Sequence, residues 1–320
     1  MNALKHVPTP LPEIAPEVID GLTRQPKMLP PWLFYDAEGS RLFEQITALP
    51  EYYLTRAEQE ILEVHASEIL RCAGSNLTLI ELGAGTAAKT GTLIQALLRR
   101  QLRVEYYPVD VCAAALEVAR QSLSALSPQV KIHPIVADYT HGLDRVGHLP
   151  GRQLALYLGS SIGNFDPQAA CAVLRQLRAC LQSGDGLLLG TDLAKSATML
   201  LPAYDDRAGV TARFNKNVLA RINRELGGRF DLDSFRHLAC WNLHHSRVEM
   251  YLESTRAQTV AIDELRIRVP FAAGERIHTE NSYKYTLPML NGLLQGGGFA
   301  LERTWNDSRG WYALHLTRAV

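Results

Sequence analysis

The 320-residue chain is 47% hydrophobic, and its 33 Lys plus Arg residues balance 33 Asp plus Glu residues to a formal net charge of zero. This length and composition favour one large domain or two of ordinary size with a packed core. The charge balance and the lack of a basic block argue against a nucleic acid or an anionic membrane surface as a partner. The start of the sequence has no leader-like apolar segment, and no run of about 18 apolar residues occurs. We therefore expect a cytoplasmic protein, and we expect it to act as a monomer.

The cysteines and histidines give no metal-binding pattern. The cysteines are odd in number and lie far apart in apolar or helical stretches, which favours reduced, buried thiols over disulfides or a metal site. His244 and His245 are adjacent, so their side chains point in different directions and make a poor ligand pair. We predict that no metal is bound. The five cysteines are Cys72, Cys112, Cys171, Cys180 and Cys240.

After a proline-rich segment with two aromatic clusters, strand-like and helix-like periods alternate between about residues 77 and 193. One of the helices begins with Asp166 as its N-cap and Pro167 at its first position. Repeated β-α units of this length predict a doubly wound parallel sheet. The predicted strands are LTLIELGAG (77–85), RVEYYPVDV (103–111), VKIHPIVAD (130–138), RQLALYLGSS (152–161) and GDGLLLGTDL (184–193).

A long insertion interrupts this rhythm from about residue 200 to 270, where the sequence is richer in helix and charge. After it, FALERTWND (299–307) and WYALHLTRA (311–319) flank a short turn and predict an antiparallel hairpin. We expect a sheet domain at 57–197 and 285–320, and a substrate-binding domain at 1–56 and 198–284. The second domain should pack over the strand ends, where such sheets bind ligands.

The stretch ELGAGTAAKT (81–90) is a glycine-rich turn between a strand and a helix. Gly83 and Gly85 allow a tight turn and a close approach of a ligand to the backbone. With Ala88 they satisfy the dinucleotide pattern G-x-G-x-x-A, which alone is weak evidence. Asp110 ends the next strand, where a carboxylate can accept both hydroxyls of a ribose. These features suit NAD and S-adenosylmethionine equally.

Further features favour the methyl donor and a class I S-adenosylmethionine-dependent methyltransferase fold, in which a Rossmann-like sheet ends in an antiparallel hairpin. Glu81 precedes the glycines, and Asp138 and Tyr139 end the third strand, where they can contact adenine. Lys89 opposes the helix dipole in the first turn, which makes sense if it meets the carboxylate of the donor. An NAD(P)-linked oxidoreductase and a catalytically silent adenosylmethionine-binding module are the alternatives.

Several longer motifs run along the chain, namely LPPWLFYDAEGSRLFEQITALPEYYLTRAE, ELGAGTAAKT, LGSSIGNFDP, AYDDRAGVTARFNKNVLARINREL, VEMYL and TENSYKY. Through these motifs the chain resembles the histidine-specific Nα-methyltransferase family of ergothioneine biosynthesis, whose members convert L-histidine to its trimethylated betaine, hercynine. The resemblance covers nearly the whole length. It implies that S-adenosyl-L-methionine binds at Gly83, Lys89, Asp110, Asp138 and Tyr139. Alanine at 84 and at 87–88 departs from the family pattern, and we expect a slight effect on donor affinity.

The resemblance also implies a set of substrate-binding residues. Asn164 and Tyr204 would hold the α-carboxylate and amino end of L-histidine. Glu280 and Ser282, two residues apart in ENSYKY, would bind the imidazole with Tyr52, because a strand points both side chains to one face. The alternative for this stretch is an edge strand with a solvated polar face. Another amino acid, such as tryptophan, is the alternative substrate. The residues expected to line the pocket are Tyr35, Phe43 and Met250. No residue has to act as a general base, since water or Tyr35 could take the amine proton.

Overall fold

The computed structural model of the protein describes residues 13–137, 149 and 151–320. Within them, several α-helices alternate with the strands of the larger sheet, and short 3₁₀ helices include Ser161–Asn164. The α-helices are α1 (Ala15–Thr23), α2 (Ala37–Thr47), α3 (Tyr53–Ala73), α4 (Thr90–Leu98), α5 (Ala113–Ser124), α6 (Pro167–Cys180), α7 (Ala197–Leu200), α8 (Val210–Leu226) and α9 (Leu287–Gly297).

The strands of the described residues form two larger sheets and a separate hairpin. The strands are β1 (Lys27–Met28), β2 (Leu77–Leu82), β3 (Val104–Asp110), β4 (Val130–Ile132), β5 (Ile135–Val136), β6 (Arg152–Tyr157), β7 (Gly186–Asp192), β8 (Phe235–Asn242), β9 (Arg247–Ser254), β10 (Gln258–Ile262), β11 (Ile267–Phe271), β12 (Arg276–Tyr283), β13 (Phe299–Asn306) and β14 (Tyr312–Ala319).

The eight-stranded sheet has the order β13-β14-β7-β6-β2-β3-β4, with β5 also beside β3. Strands β2 to β7 pair in parallel, whereas β14 runs antiparallel to both β7 and β13. Every residue of β2 and β7 is buried, because hydrophobic clusters cover both faces of the sheet. The predicted fold class, an α/β sheet with a terminal antiparallel hairpin, is confirmed.

One predicted strand that bears on the site differs from the observed structure. The predicted third strand is split into β4 and β5 around His133 and Pro134, which is consistent with the missing N–H of proline. Asp138 and Tyr139, expected to contact the donor, lie outside the described residues. The predicted cap of α6 is present, since Asp166 accepts from two backbone N–H groups of the first helical turn.

The insertion is less helical than we expected. It opens with α7 and α8 and then forms the antiparallel strands β8 to β11, with β12 completing the segment. The overlooked signal is the β-branched and aromatic content of these strands, because the charged residues between them suggested helix instead.

The N-terminal segment and the insertion share one layer. Strand β1 pairs in parallel with β12 at the edge of the four-stranded sheet β1-β12-β9-β8, and α2 packs against α8. The division into two domains remains a prediction, and α3 runs across the expected boundary at residue 56. No helix in residues 13–137, 149 and 151–320 is long and apolar enough to span a bilayer.

Candidate active site

A cavity lies where the N-terminal segment and the insertion meet the loop that follows β6. Its wall also includes Gly159, Ser160 and Ser161 of the loop after β6, and Thr211 and Phe214 of α8. The structure thus brings together every residue that the sequence suggested for substrate binding. Those residues are Tyr35, Phe43, Tyr52, Asn164, Tyr204, Met250, Glu280 and Ser282.

One side of the cavity is aromatic. The ring of Tyr35 meets Phe43 edge-on at 5.8 Å between centroids and Phe214 at 5.7 Å. Phe43 in turn meets Tyr52 at 6.1 Å, also edge-on. Such edge-to-face contacts are favourable and leave ring faces available to a ligand. Tyr35 and Phe43 are half-buried, so neither is a fully enclosed core aromatic.

The opposite side carries Glu280 and Ser282 on β12. They pair with Met250 and Val248 of β9, after an irregularity in register between His278 and Glu280. Ser282 is 5% exposed and Glu280 is half-buried. The alternative of a solvated polar face is therefore wrong for these two side chains.

Burial shapes the chemistry of the Glu280 carboxyl. It raises the pKa of Glu280 to about 7, while the charge of Lys284 acts in the opposite direction. Asn164 lies beside it at the end of the 3₁₀ helix. With its amide nitrogen turned toward β12, Asn164 donates to Glu280 Oε1 and to the Asn281 carbonyl oxygen, each at 3.2 Å. Glu280 thus faces the cavity as an acceptor with one neutral donor at its side.

Behind Ser282 lies a lysine that the sequence did not single out. Lys284 is fully buried, and its Nζ donates to Tyr204 Oη at 2.6 Å, to Ser282 Oγ at 2.9 Å and to Asp192 Oδ2 at 2.8 Å. Tyr204 Oη and Ser282 Oγ are themselves 2.7 Å apart. Lys284 follows Ser282 by two residues, so the strand alternation that pointed to Glu280 and Ser282 also contained the signal for Lys284.

These contacts bear on the expected division of the pocket. Tyr204, assigned to the amino-acid end of the substrate, touches Ser282, which was assigned to the imidazole. Likewise, Asn164, assigned to the amino-acid end, donates a hydrogen bond to Glu280, which was assigned to the imidazole. The two groups of residues are neighbours, and which end of the substrate each one holds remains a prediction.

The glycine loop forms a cradle beside this cavity. Gly83 and Gly85 have φ of 64° and 52°, and a Cβ placed on Gly85 would meet nothing within 4 Å. Asp110 Oδ2 accepts from the Gly85 N–H and Oδ1 from the Cys112 N–H, both at 2.8 Å. Burial raises the pKa of Asp110, and these backbone hydrogen bonds act against that rise. The carboxylate is held next to open space and keeps lone pairs for two ribose hydroxyls, so the residues fit an adenosyl donor.

Lys89 does not point freely into that space. Its Nζ is paired with the carboxylate of Glu58, which also accepts from the Gly159 N–H at 2.9 Å and from Tyr312 Oη at 2.7 Å. Glu58 is fully buried on α3. If Lys89 contacts the carboxylate of the donor, it therefore does so while paired with Glu58. The sequence pattern of the glycine loop gives no sign of Glu58.

Among residues 13–137, 149 and 151–320, no group of three or more His, Cys, Asp or Glu side chains could hold a metal ion.

Comparison with known proteins agrees with these features. The family described as "Histidine-specific methyltransferase, SAM-dependent" matches residues 14–319. The "Histidine N-alpha-methyltransferase" of Mycolicibacterium smegmatis is 45% identical over 300 residues, covering 94% of this chain and 93% of that protein. The protein of the same name from Mycobacterium tuberculosis is 43% identical with the same coverage. This chain belongs to the histidine-specific, S-adenosylmethionine-dependent methyltransferase family.

Proposed function

We propose that the protein transfers three methyl groups in succession from S-adenosyl-L-methionine to the α-amino group of L-histidine, giving hercynine. The family and two relatives named histidine N-alpha-methyltransferase support this proposal. A place in ergothioneine biosynthesis is supported by "Ergothioneine biosynthesis protein 1" of Neurospora crassa, which is 30% identical over 91% of this chain and 33% of that protein.

The observation that carries the proposal is the polar pair Glu280 and Ser282 on the wall of a cavity that also has an aromatic side. Imidazole carries two nitrogens, at least one of which has a proton to donate. A carboxylate and a hydroxyl on one strand face can engage both nitrogens. A leucine or phenylalanine side chain would leave both groups desolvated and unpaired, so we expect such substrates to be rejected.

The donor supplies a reactive sulfonium methyl group when it is bound, and the chain positions the two reactants. We assign the ribose of the donor to Asp110 and the carboxylate of the donor to Lys89. Gly83 and Gly85 allow the donor to approach the protein backbone closely. Asp138 and Tyr139 remain our assignment for the adenine. The reaction is an in-line displacement by a neutral amine, so holding the amine in line with the methyl group is the main catalytic contribution.

The aromatic wall has two proposed roles. Water or Tyr35 is our candidate for receiving the proton released from the amine, and a neutral Tyr35 would act as a relay that passes its own hydroxyl proton to water. The faces of Tyr35 and Phe43 can stabilise the fixed positive charge that remains after the third methyl transfer, by cation–π contact. Met250 faces Glu280 across the strand pair and limits the width of the ring pocket.

The family depends on S-adenosylmethionine, so the NAD(P)-linked alternative has no support. We further propose a cytoplasmic monomer without a nucleic-acid partner. The zero net charge and the lack of any disulfide among the five cysteines support this setting. Fractionation of the source cells and light scattering of the purified protein test these two points.

Incubation with methyl-labelled donor and a panel of amino acids, followed by mass spectrometry, tests the proposed reaction. We expect mono-, di- and trimethyl histidine, and fragmentation should place every label on the α-nitrogen. Label on a ring nitrogen, or preferential methylation of tryptophan, would contradict the proposal.

A further inference from the structure

Lys284 fixes where the hydroxyl protons around Ser282 can point. An ammonium group has three protons and no lone pair, and the three acceptors around Lys284 Nζ are Asp192, Tyr204 and Ser282. Lysine must donate every one of these bonds. One lone pair of the Tyr204 hydroxyl and one of the Ser282 hydroxyl are therefore occupied from behind.

The two hydroxyls also share one hydrogen bond with each other, at 2.7 Å. At this distance either hydroxyl can be the donor. Because a phenol is intrinsically the stronger acid and the weaker acceptor, we assign Tyr204 as the donor and Ser282 as the acceptor. Both lone pairs of Ser282 are then filled, one by Lys284 and one by Tyr204. Its own proton is left over, and it points away from these partners toward the cavity that Ser282 lines.

This direction constrains the ring that can bind. A donating Ser282 requires a ring nitrogen with a lone pair. A neutral imidazole has one such nitrogen and one N–H, so its N–H is left to face Glu280, whose carboxyl oxygen accepts the bond. An imidazolium ion has two N–H groups and would place one of them against the Ser282 proton.

We propose that Lys284 is a positioning residue that makes Ser282 a hydrogen-bond donor, so that the pocket selects the neutral imidazole ring of L-histidine in a single tautomer. This inference rests on the proposed function, because it takes L-histidine as the occupant. Lys284 itself is held by Asp192, which also accepts from Tyr53 and pairs with Lys195. Asp192, at the end of β7 in the larger sheet, thereby holds Lys284, which directly follows β12 of the smaller sheet.

The wild-type protein allows a direct test. L-Histidine with nitrogen-15 at both ring positions would be bound together with S-adenosylhomocysteine, which prevents turnover, and its ring nitrogens observed by NMR. We expect two separate signals, one typical of a protonated ring nitrogen and one typical of an unprotonated ring nitrogen. Two protonated-type signals, or two signals averaged by tautomer exchange, would overturn the proposal.

A double-mutant cycle tests the role of Lys284. The measured quantity is the ratio of kcat/KM for L-histidine to that for an analogue with a pyrrole ring, which keeps the N–H and lacks the acceptor nitrogen. In the wild type, the analogue leaves the Ser282 proton unpaired. We expect Lys284→Met and Ser282→Ala each to lower this ratio about tenfold, because neither variant has a Ser282 proton forced toward the ring.

The double variant should lower the ratio no further than either single change, since both act on the same proton. Lys27→Met is the matched control, because Lys27 is also a buried lysine but pairs with Glu275, and we expect it to leave the ratio unchanged.

A Lys284→Met variant that loses activity equally with both substrates would show a merely structural role. If Lys284→Met fails to fold, the wild-type NMR measurement still decides the ring tautomer. A wild type that neither binds nor methylates L-histidine would refute the proposed function as well. A wild type that methylates L-histidine but binds its ring as imidazolium would refute only the inference about Lys284 and Ser282.

Discussion

Lys284 and Asp192 form an ion pair with a 2.8 Å separation, and neither side chain is exposed. Lys284 directly follows β12 of the smaller sheet, and Asp192 is the last residue of β7 in the larger sheet. The pair therefore ties the wall of the cavity to the sheet that carries the glycine loop. Asp192 also pairs with Lys195, so one carboxylate compensates two lysines that are largely removed from water.

Asp192→Asn should be strongly destabilising. It removes the carboxylate that contacts both Lys284 and Lys195, and breaking a buried pair by removing one partner typically costs about 3–5 kcal/mol. Urea unfolding measures this loss. Asp263→Asn is the control, because Asp263 is 51% exposed and its partner Arg229 is 71% exposed. We expect that change to cost less than about 1 kcal/mol, and equal losses at the two positions would contradict our account of the buried pair.

Ala87 is a strained position in the glycine loop. It is buried and has φ of 53°, a left-handed conformation that costs a non-glycine residue roughly 1–2 kcal/mol. We expect Ala87→Gly to leave the free energy of unfolding unchanged or to raise it. The same substitution at exposed Ala172 within α6 should lower it by about 1 kcal/mol. Thermal or urea unfolding of both variants makes the comparison, and equal losses would show that residue 87 is unstrained.

Glu280 should make the stability of the empty enzyme depend on pH. Its pKa rises from 4.5 to about 7 on folding, because burial disfavours the charged form. The folded state then binds the proton more tightly, so its contribution is fully present below pH 4.5 and is lost as pH rises through 7. Glu280→Gln removes this dependence. Relative to wild type, the variant should gain on the order of 2–3 kcal/mol of unfolding free energy between pH 4.5 and pH 8. A difference that does not change with pH would contradict the burial of this carboxyl.

Donor binding should stabilise the protein. S-Adenosylmethionine or S-adenosylhomocysteine should raise Tm, whereas NAD or NADP should not. Asp110→Ala should remove most of this shift, because the ribose hydroxyls lose their shared acceptor. Asp263→Ala, which changes an exposed acid elsewhere, should keep the full shift. Stabilisation by NAD equal to that by the methyl donor would contradict the assignment of the glycine loop.

Much of this architecture could be predicted because its signals are local. Buried apolar runs, the Asp166 cap and the glycine loop each specify a segment of the parallel sheet, and neighbouring units then pack in the expected order. The sheet of the insertion was less predictable, because the charged residues of its strands suggested helix and because β1 joins β12 from about 250 residues away in sequence. Strand alternation pointed to Glu280 and Ser282, but only the folded chain shows that Asp192 lies behind them.

Contacts between residues far apart in sequence were also missed in the donor-binding part of the site. Lys89 was expected to meet an anion, and the anion found in the structure is the protein's own Glu58, which is 31 residues away in sequence. Distance along the chain gives no indication of such a pair. The carboxylate of Glu58 on α3 also accepts from Gly159, in the loop after β6, and from Tyr312, the first residue of β14.

The most direct test of the account is the ratio of kcat/KM for L-histidine to that for L-tryptophan in the wild type, Glu280→Ala and Ser282→Ala. We expect Glu280→Ala to lower histidine efficiency by about 2–4 kcal/mol, because a charge-assisted hydrogen bond to the ring is lost. The freed space should also make an indole ring less disfavoured, so the ratio should fall. Ser282→Ala should lower the ratio less, since a neutral hydroxyl bond contributes less than a charged one. A ratio that Glu280→Ala leaves unchanged would contradict the claim that this carboxylate recognises the imidazole ring.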